Sequence, residues 1–216
     1  MHLKFTGAVF EALCGRRLCT IEEATLGTGI TALTGHNGAG KSTVLRAIFG
    51  LHPLAAGTIS LDAIDSRKHR QHFLAHAVFQ PQNFSTYPDL TGLEFLHYFL
   101  RLRGVRRKEA MNHAALWIDR VGLAEAANRR TSDYSQGMLQ RLGLAYALQS
   151  GAKLCVLDEP FAGVDPKARA QLSDLLAEVA KDRIILICTH HVEEMKERGA
   201  TMVAINHGAW QAGVAA

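Results

Sequence analysis

The residues "GHNGAGKST", Gly35 to Thr43, fit the pattern G-x-x-x-x-G-K-[ST]. The run before them, Ile30 to Thr34 in "TGITALTG", reads as a buried strand that ends in glycine. The run after them, "STVLRAIFGL", places Val44, Leu45, Ile48 and Phe49 at helical spacing and stops at Gly50 and Pro53. Strand, glycine-rich loop and helix in that order make a phosphate cradle. Gly38 and Gly40 let the backbone curl so that successive N–H groups face one anion. Lys41 adds a point charge for the β- and γ-phosphates, and the Ser42 hydroxyl suits Mg²⁺. Gly35, His36, Asn37, Ala39 and Thr43 complete the nucleotide-binding stretch.

Two further segments carry chemistry at strand ends. "LCVLDEP", Leu154 to Pro160, is an apolar run closed by two acids, as expected of a buried strand that delivers carboxylates to a sheet edge. Asp158 is then a metal ligand and Glu159 a general base for an attacking water. "CTHHVEE" puts His190 and His191 at the end of another strand, within reach of a γ-phosphate. No second pair of His or Cys ligands stands at a spacing that suits zinc.

Outside these segments the chain alternates strand and helix, which predicts a parallel α/β sheet. "GTISLDAI" and "AHAVFQ" read as strands on the N-terminal side. On the C-terminal side come "KLCVLDEP", "RIILICTH" and, last, "TMVAINHG", with helices in "PKARAQLSDLLAEVAKD" and "VEEMKERG". The middle, from about residue 92 to 149, has a helical pattern that Gly104, Gly122 and "NRRTSDYS" break into pieces, and it reads as an insertion. Its third helix starts in "DYSQGMLQR", Asp133 to Arg141, with Ser135 as the N-cap. A helix start with small residues exposes free N–H groups and can meet an anion.

Composition bounds the rest. The 216 residues are 48% hydrophobic, which excludes wholesale disorder. The net charge of +4 is mild and compatible with nucleic acid, an anionic nucleotide or neither. The densest basic run, "RLRGVRRK" from Arg101 to Lys108, has no interleaved aromatics and reads as a solvated helix end. No apolar run reaches the ~18 residues that cross a bilayer, and the N-terminus lacks a signal-peptide pattern. The chain is therefore expected to be soluble and cytoplasmic. Cys14, Cys19, Cys155 and Cys188 are expected as buried free thiols.

On these motifs the chain resembles an ABC-type ATPase, the nucleotide-binding subunit of an ATP-binding cassette transporter. Walker A matches Gly35 to Thr43 and Walker B matches Leu154 to Glu159. The Q-loop resembles "FQPQNF", with its glutamine at Gln82 or, alternatively, Gln80. The signature motif matches "YSQGM", the D-loop "AGVDP" (Ala162 to Pro166), and the switch histidine His190. Three signature positions depart from Leu-Ser-Gly-Gly-Gln: Tyr134, Gln136 and Met138. For the family's adenine-stacking aromatic the candidates are Phe10, by residue type, and Leu13, by position.

The resemblance implies a P-loop NTPase fold: a RecA-like parallel or mixed sheet core, an inserted helical subdomain and a small N-terminal antiparallel β part. The core comprises residues 1–82 and 151–216 of a single 1–216 domain, and the helical part residues 83–150. ATP and Mg²⁺ are the implied cofactors, with Ser42, Gln82 and Asp158 at the metal and Glu159, His190 and Gln82 in catalysis. Two cassettes, identical or different, would pack head to tail, so that Ser135 and Gly137 of one meet the nucleotide held by the other. A separate transmembrane permease would dock on the helical part, placing the protein peripherally on the cytoplasmic side of the membrane, with no nucleic-acid partner. "FSTYPDLTGLEFLHYFLRLRG" resembles cassettes of ABC-2 type exporters, and the regulatory extension of some importers' cassettes is not expected. The alternative is a non-transport ABC ATPase acting on DNA or ribosomes. The single cassette, without a coiled-coil or zinc-bearing insertion, argues against it.

Overall fold

The computed structural model describes residues 1–12 and 14–212. In chain order these form β1 (Leu3–Glu11), β2 (Arg17–Leu26), β3 (Gly29–Thr34), α1 (Lys41–Ile48), β4 (Leu54–Leu61), β5 (Ile64–Asp65), α2 (Arg70–Ala75) and β6 (Ala77–Gln80). Then come α3 (Gly92–Leu102), α4 (Arg107–Arg120), α5 (Gln136–Gln149), β7 (Leu154–Asp158), α6 (Pro166–Val179), β8 (Ile184–Cys188), α7 (Val192–Glu197), β9 (Thr201–Asn206) and β10 (Ala209–Ala212). All strands lie in one sheet, ordered β5-β4-β1-β2-β10-β9-β3-β8-β7-β6. The half from β9 to β6 is parallel, and β1, β2, β4 and β5 pair antiparallel.

The central strands are apolar because both of their faces are covered. β7 and β8 are buried at every position. Their side chains divide between two cores by period-two alternation. Leu154, Val156, Ile184 and Leu186 join α1 and the N-terminal strands; Cys155, Leu157, Ile185 and Ile187 join the helical side with Leu144, Leu148, Leu172 and Leu176. Each such side chain contributes roughly 1.5–3 kcal/mol by leaving water.

β6 and β7 are neighbours in the sheet, and α3, α4 and α5 interrupt the chain between them. Local chemistry sets where these helices begin. Thr91 and Glu94 form a capping box on α3, with Glu94 N to Thr91 Oγ1 at 3.2 Å and Thr91 N to Glu94 Oε2 at 2.9 Å. Ser135 caps α5 through Met138 N at 3.3 Å. Asp165 caps α6 through Ala168 N at 3.0 Å, and Pro166 takes the first turn, where no N–H is missed.

Three expectations need correction. "TMVAINHG" is not the last strand: β10 follows it and pairs antiparallel with β9. "GTISLDAI" is not one strand but β4 and β5, divided at Asp62, whose φ of 50° makes a turn. Cys14 is exposed, while Cys19, Cys155 and Cys188 are buried free thiols as expected.

Candidate functional site

Strand register brings the motifs to one edge. Asp158 pairs with Cys188, and Leu33 pairs with Cys188 on the other side of β8. The loop after β3, the acids ending β7, the histidines after β8 and the glutamines ending β6 therefore share the C-terminal edge of the parallel strands. An open cleft of ≈ 590 Å³ lies there. Asn37, Gly38, Gly40, Lys41, Ser42 and Thr43 line it, together with Gln82, Asp158, Glu159, Cys188 and His190 and with Ala12, Arg16 and Leu18.

The loop's shape follows from its glycines. Gly38 and Gly40 have φ of 80° and 97°, and Gly40 precedes the first turn of α1 without a side-chain cap. Gly35 serves packing: a Cβ there would lie 2.7 Å from the Ile205 carbonyl oxygen. Ala39 is buried in the core, and the His36 ring stays local, bonding the Asn37 carbonyl at 2.8 Å. Gly35, His36 and Ala39 therefore shape the loop without lining the cleft. Lys41 Nζ donates to the carbonyls of Gly35 and His36 at 2.6 and 3.1 Å, which holds its charge across the loop.

The facing carboxylates are in unusual settings. Asp158 is 1% exposed, and no donor meets either of its oxygens in full hydrogen-bond geometry, although the Ser42 hydroxyl and the Cys188 thiol are close by. Burial pushes its pKa up, opposed by the Ser42 hydroxyl and by the charges of Arg46 and Lys41. An under-satisfied buried carboxylate, a serine hydroxyl and a glutamine amide on one cleft are hard oxygen donors, a set that fits Mg²⁺. Glu159 has φ of 49°, a conformation that a non-glycine side chain holds only under strain. The strain is fixed by its N–H, which donates to the Cys188 carbonyl at 2.9 Å. Burial raises the Glu159 pKa, offset by the charge of His190 and reinforced by Asp158. His190 Nε2 lies 3.1 Å from Glu159 Oε1.

Of the two open alternatives, Gln82 lines the cleft, whereas Gln80 is fully buried and turns its amide to Gln140. Of the two histidines, His190 lines the cleft and His191 sits toward Phe161 at 6.3 Å between ring centroids. Phe10 cannot stack on a ligand, because it is 0% exposed in the core; Leu13 lies outside the described residues. Ser135 and Gly137 do not line this cleft. Ser135 is exposed, and Gly137 is buried against the D-loop, where an added Cβ would collide with the Gly163 carbonyl oxygen. Arg16, Leu18 and Cys188 were not singled out for the site by the sequence, because a basic residue on a turn and an apolar residue inside a run carry no local signal of it.

The ABC transporter family profile matches residues 25–162. The chain is 34% identical over 179 residues to the human retinal-specific phospholipid-transporting ATPase ABCA4, covering 83% of this chain and 8% of that protein. It is 35% identical over 177 residues to the Bacillus subtilis uncharacterized ABC transporter ATP-binding protein YxlF, covering 82% of this chain and 58% of that one. It thus spans only part of each of these relatives. A solved structure described as the ATP binding subunit of an ABC transporter superposes with a TM-score of 0.87 at 22% identity, over 99% of this chain and 90% of that one. Motif order, cleft geometry and these likenesses agree: the chain belongs to the ABC transporter family, as an ATP-binding cassette of the P-loop NTPase fold.

Proposed function

We propose that this cassette hydrolyses ATP and that two cassettes close around the nucleotide to drive a separate transmembrane permease, in an exporter. The observation that carries the reading is the gathering of Lys41, Ser42, Asp158, Glu159 and Gln82 around one cleft. The loop N–H groups and Lys41 hold the phosphates. Ser42, Asp158 and Gln82 would hold Mg²⁺, which when bound would supply charge neutralisation to the phosphates. Glu159 takes the proton of the attacking water, and its raised pKa moves it toward the range in which a base both accepts and releases a proton near neutrality. His190 holds the Glu159 carboxylate in place and reaches the γ-phosphate.

Ser135 and the Gly137 N–H complete a pocket only in trans, on the nucleotide held by a second cassette. Residues 83–150 form the helical subdomain on which the permease docks, and residues 1–82 and 151–216 form the catalytic core. Among the described residues no helix is long and apolar enough to cross a membrane, which fits a peripheral subunit on the cytoplasmic side. The relatives carry transporter names, which favours transport over action on DNA or ribosomes. The test is Mg²⁺-dependent phosphate release from ATP by the purified protein, with chain mass followed by light scattering. A Glu159→Gln variant should bind ATP, release phosphate about 10²–10⁴-fold more slowly and accumulate as a dimer. Unchanged phosphate release by that variant overturns the assignment.

A further inference from the structure

Gln80 and Gln140 are both 0% exposed, in a region otherwise packed with apolar side chains. Gln80 Nε2 donates to Gln140 Oε1 at 2.9 Å and lies 3.2 Å from the Gln140 carbonyl oxygen. Gln140 Nε2 donates in turn to the carbonyl of Gln82 at 2.6 Å. The approach is close because α5 presents Gly143 here: a Cβ on Gly143 would lie 2.9 Å from Gln80 Nε2 and 2.8 Å from the Phe84 ring. Gln80 Oε1 keeps no partner, so the clasp is retained with one acceptor unsatisfied.

A buried amide network of this kind costs desolvation that an apolar pair avoids, and what it supplies is a fixed register between the elements it joins. One of those elements is α5, which begins at Ser135. The other is the backbone that carries the Gln82 side chain into the cleft. We propose that Gln140 is a positioning residue that ties the backbone at Gln82 to the signature helix, so that movement of Ser135 toward a nucleotide and presentation of Gln82 to the metal are one event. The proposal rests on the ATPase reading above and extends it. The chemical consequence is specific. Without the Gln140 bond, nucleotide still binds the loop and Lys41, but Gln82 is no longer held where Mg²⁺ would sit.

The test compares Gln140→Leu, Gln140→Glu, Gln82→Ala and the Gln82→Ala/Gln140→Leu double variant. Gln140→Leu keeps the volume and removes the donor. Gln140→Glu keeps the shape and turns an acceptor toward the Gln82 carbonyl, so a loss shared by both is not a cavity effect. Each single variant should lower kcat about tenfold, through one buried hydrogen bond left unmade in the Gln140 variants and through the missing cleft side chain in Gln82→Ala. Each should also raise the Mg²⁺ concentration needed for half-maximal rate. Binding of a fluorescent ATP analogue in EDTA should stay as in the wild type, and the double variant should be no slower than Gln82→Ala alone. Additive losses in the double variant, or weakened analogue binding in EDTA, would show that Gln140 acts through general packing and overturn the proposal. So would a slow Gln140→Leu beside a Gln82→Ala of normal rate. Wild-type phosphate release that Glu159→Gln strongly slows is the separate control. If it fails, the ATPase reading falls and this inference with it; if it holds and only the Gln140 variants behave normally, this inference alone falls.

Discussion

Two helices of this chain begin in small residues, and they begin differently. α1 opens at Gly40, in the left-handed region with no side-chain cap, so its first N–H groups face the cleft. α5 opens at Ser135, whose own hydroxyl accepts from Met138 N, and its Gly137 is pressed against Gly163 of the D-loop. Around α1 stand a lysine, a serine, one buried carboxylate and one half-buried carboxylate; at the start of α5 there is an exposed serine and an exposed glutamine, Gln136. An N-terminal dipole alone does not make a phosphate site. The comparison teaches that a site needs opposing groups, which α1 has within the chain and α5 has only if a second chain brings them.

The largest expected effects lie on the α1 side. Glu159→Gln removes the proposed proton acceptor while keeping the shape, and should slow turnover by about 10²–10⁴-fold with nucleotide affinity kept. Single-turnover phosphate release measures it. A fall in kcat/KM driven by KM would move Glu159 from catalysis to binding and blur the contrast between the two helix starts. Lys41→Ala removes a point charge from the phosphates and should weaken ATP binding by about 10- to 100-fold, read by fluorescent-analogue titration. Retained affinity would mean that the N–H groups suffice, and that α1 and α5 differ less than their surroundings suggest.

The smaller contrast is on the α5 side. Ser135→Ala should slow turnover by about tenfold while analogue binding to dilute, monomeric protein stays unchanged. The cap loss itself costs only about 1 kcal/mol. Parallel loss of turnover and monomer binding would place Ser135 in the chain's own cleft and break the comparison.

What the sequence made legible follows the same division. The phosphate loop, β7 and β8 announce themselves because glycine positions and unbroken apolar runs are local signals. Ser135 as a cap was legible for the same reason. β1 was not, although Leu3, Phe5, Ala8 and Phe10 are all buried. Its alternation slips by one residue at Gly7, where the pairing register with β4 shifts between Thr6 and Val9. β10 is short and mostly exposed, so no apolar pattern marks it. The sequence points to Gln82 and leaves Gln80 as the alternative, because the two stand on either side of a single proline at one strand end. Their roles are divided by Gln140, sixty residues away from Gln80, whose amide selects one side chain for the interior and leaves the other to the cleft.

The smallest effect tests how much stability the α1 side gives up to be a site. The two Asp158 oxygens are buried with no donor in full hydrogen-bond geometry, and burial raises the pKa. The folded state therefore favours the protonated acid. Its contribution to stability is fully present below the ordinary aspartate range and is lost as pH rises through the raised value, so at neutral pH the ionised group opposes folding. Asp158→Asn keeps the shape and removes the charge. In EDTA at pH 8 it should be more stable than the wild type by about 1 kcal/mol, roughly 2–4 °C in melting temperature, with the gain shrinking toward pH 4. Adding Mg²⁺ and ATP should reverse the order, because only the wild type keeps the carboxylate that ligand binding would stabilise. An Asn variant no more stable than the wild type at pH 8 would mean that Asp158 is satisfied within the fold. The α1 side would then owe its chemistry to the loop alone, and the two helix starts would stand closer than their surroundings suggest.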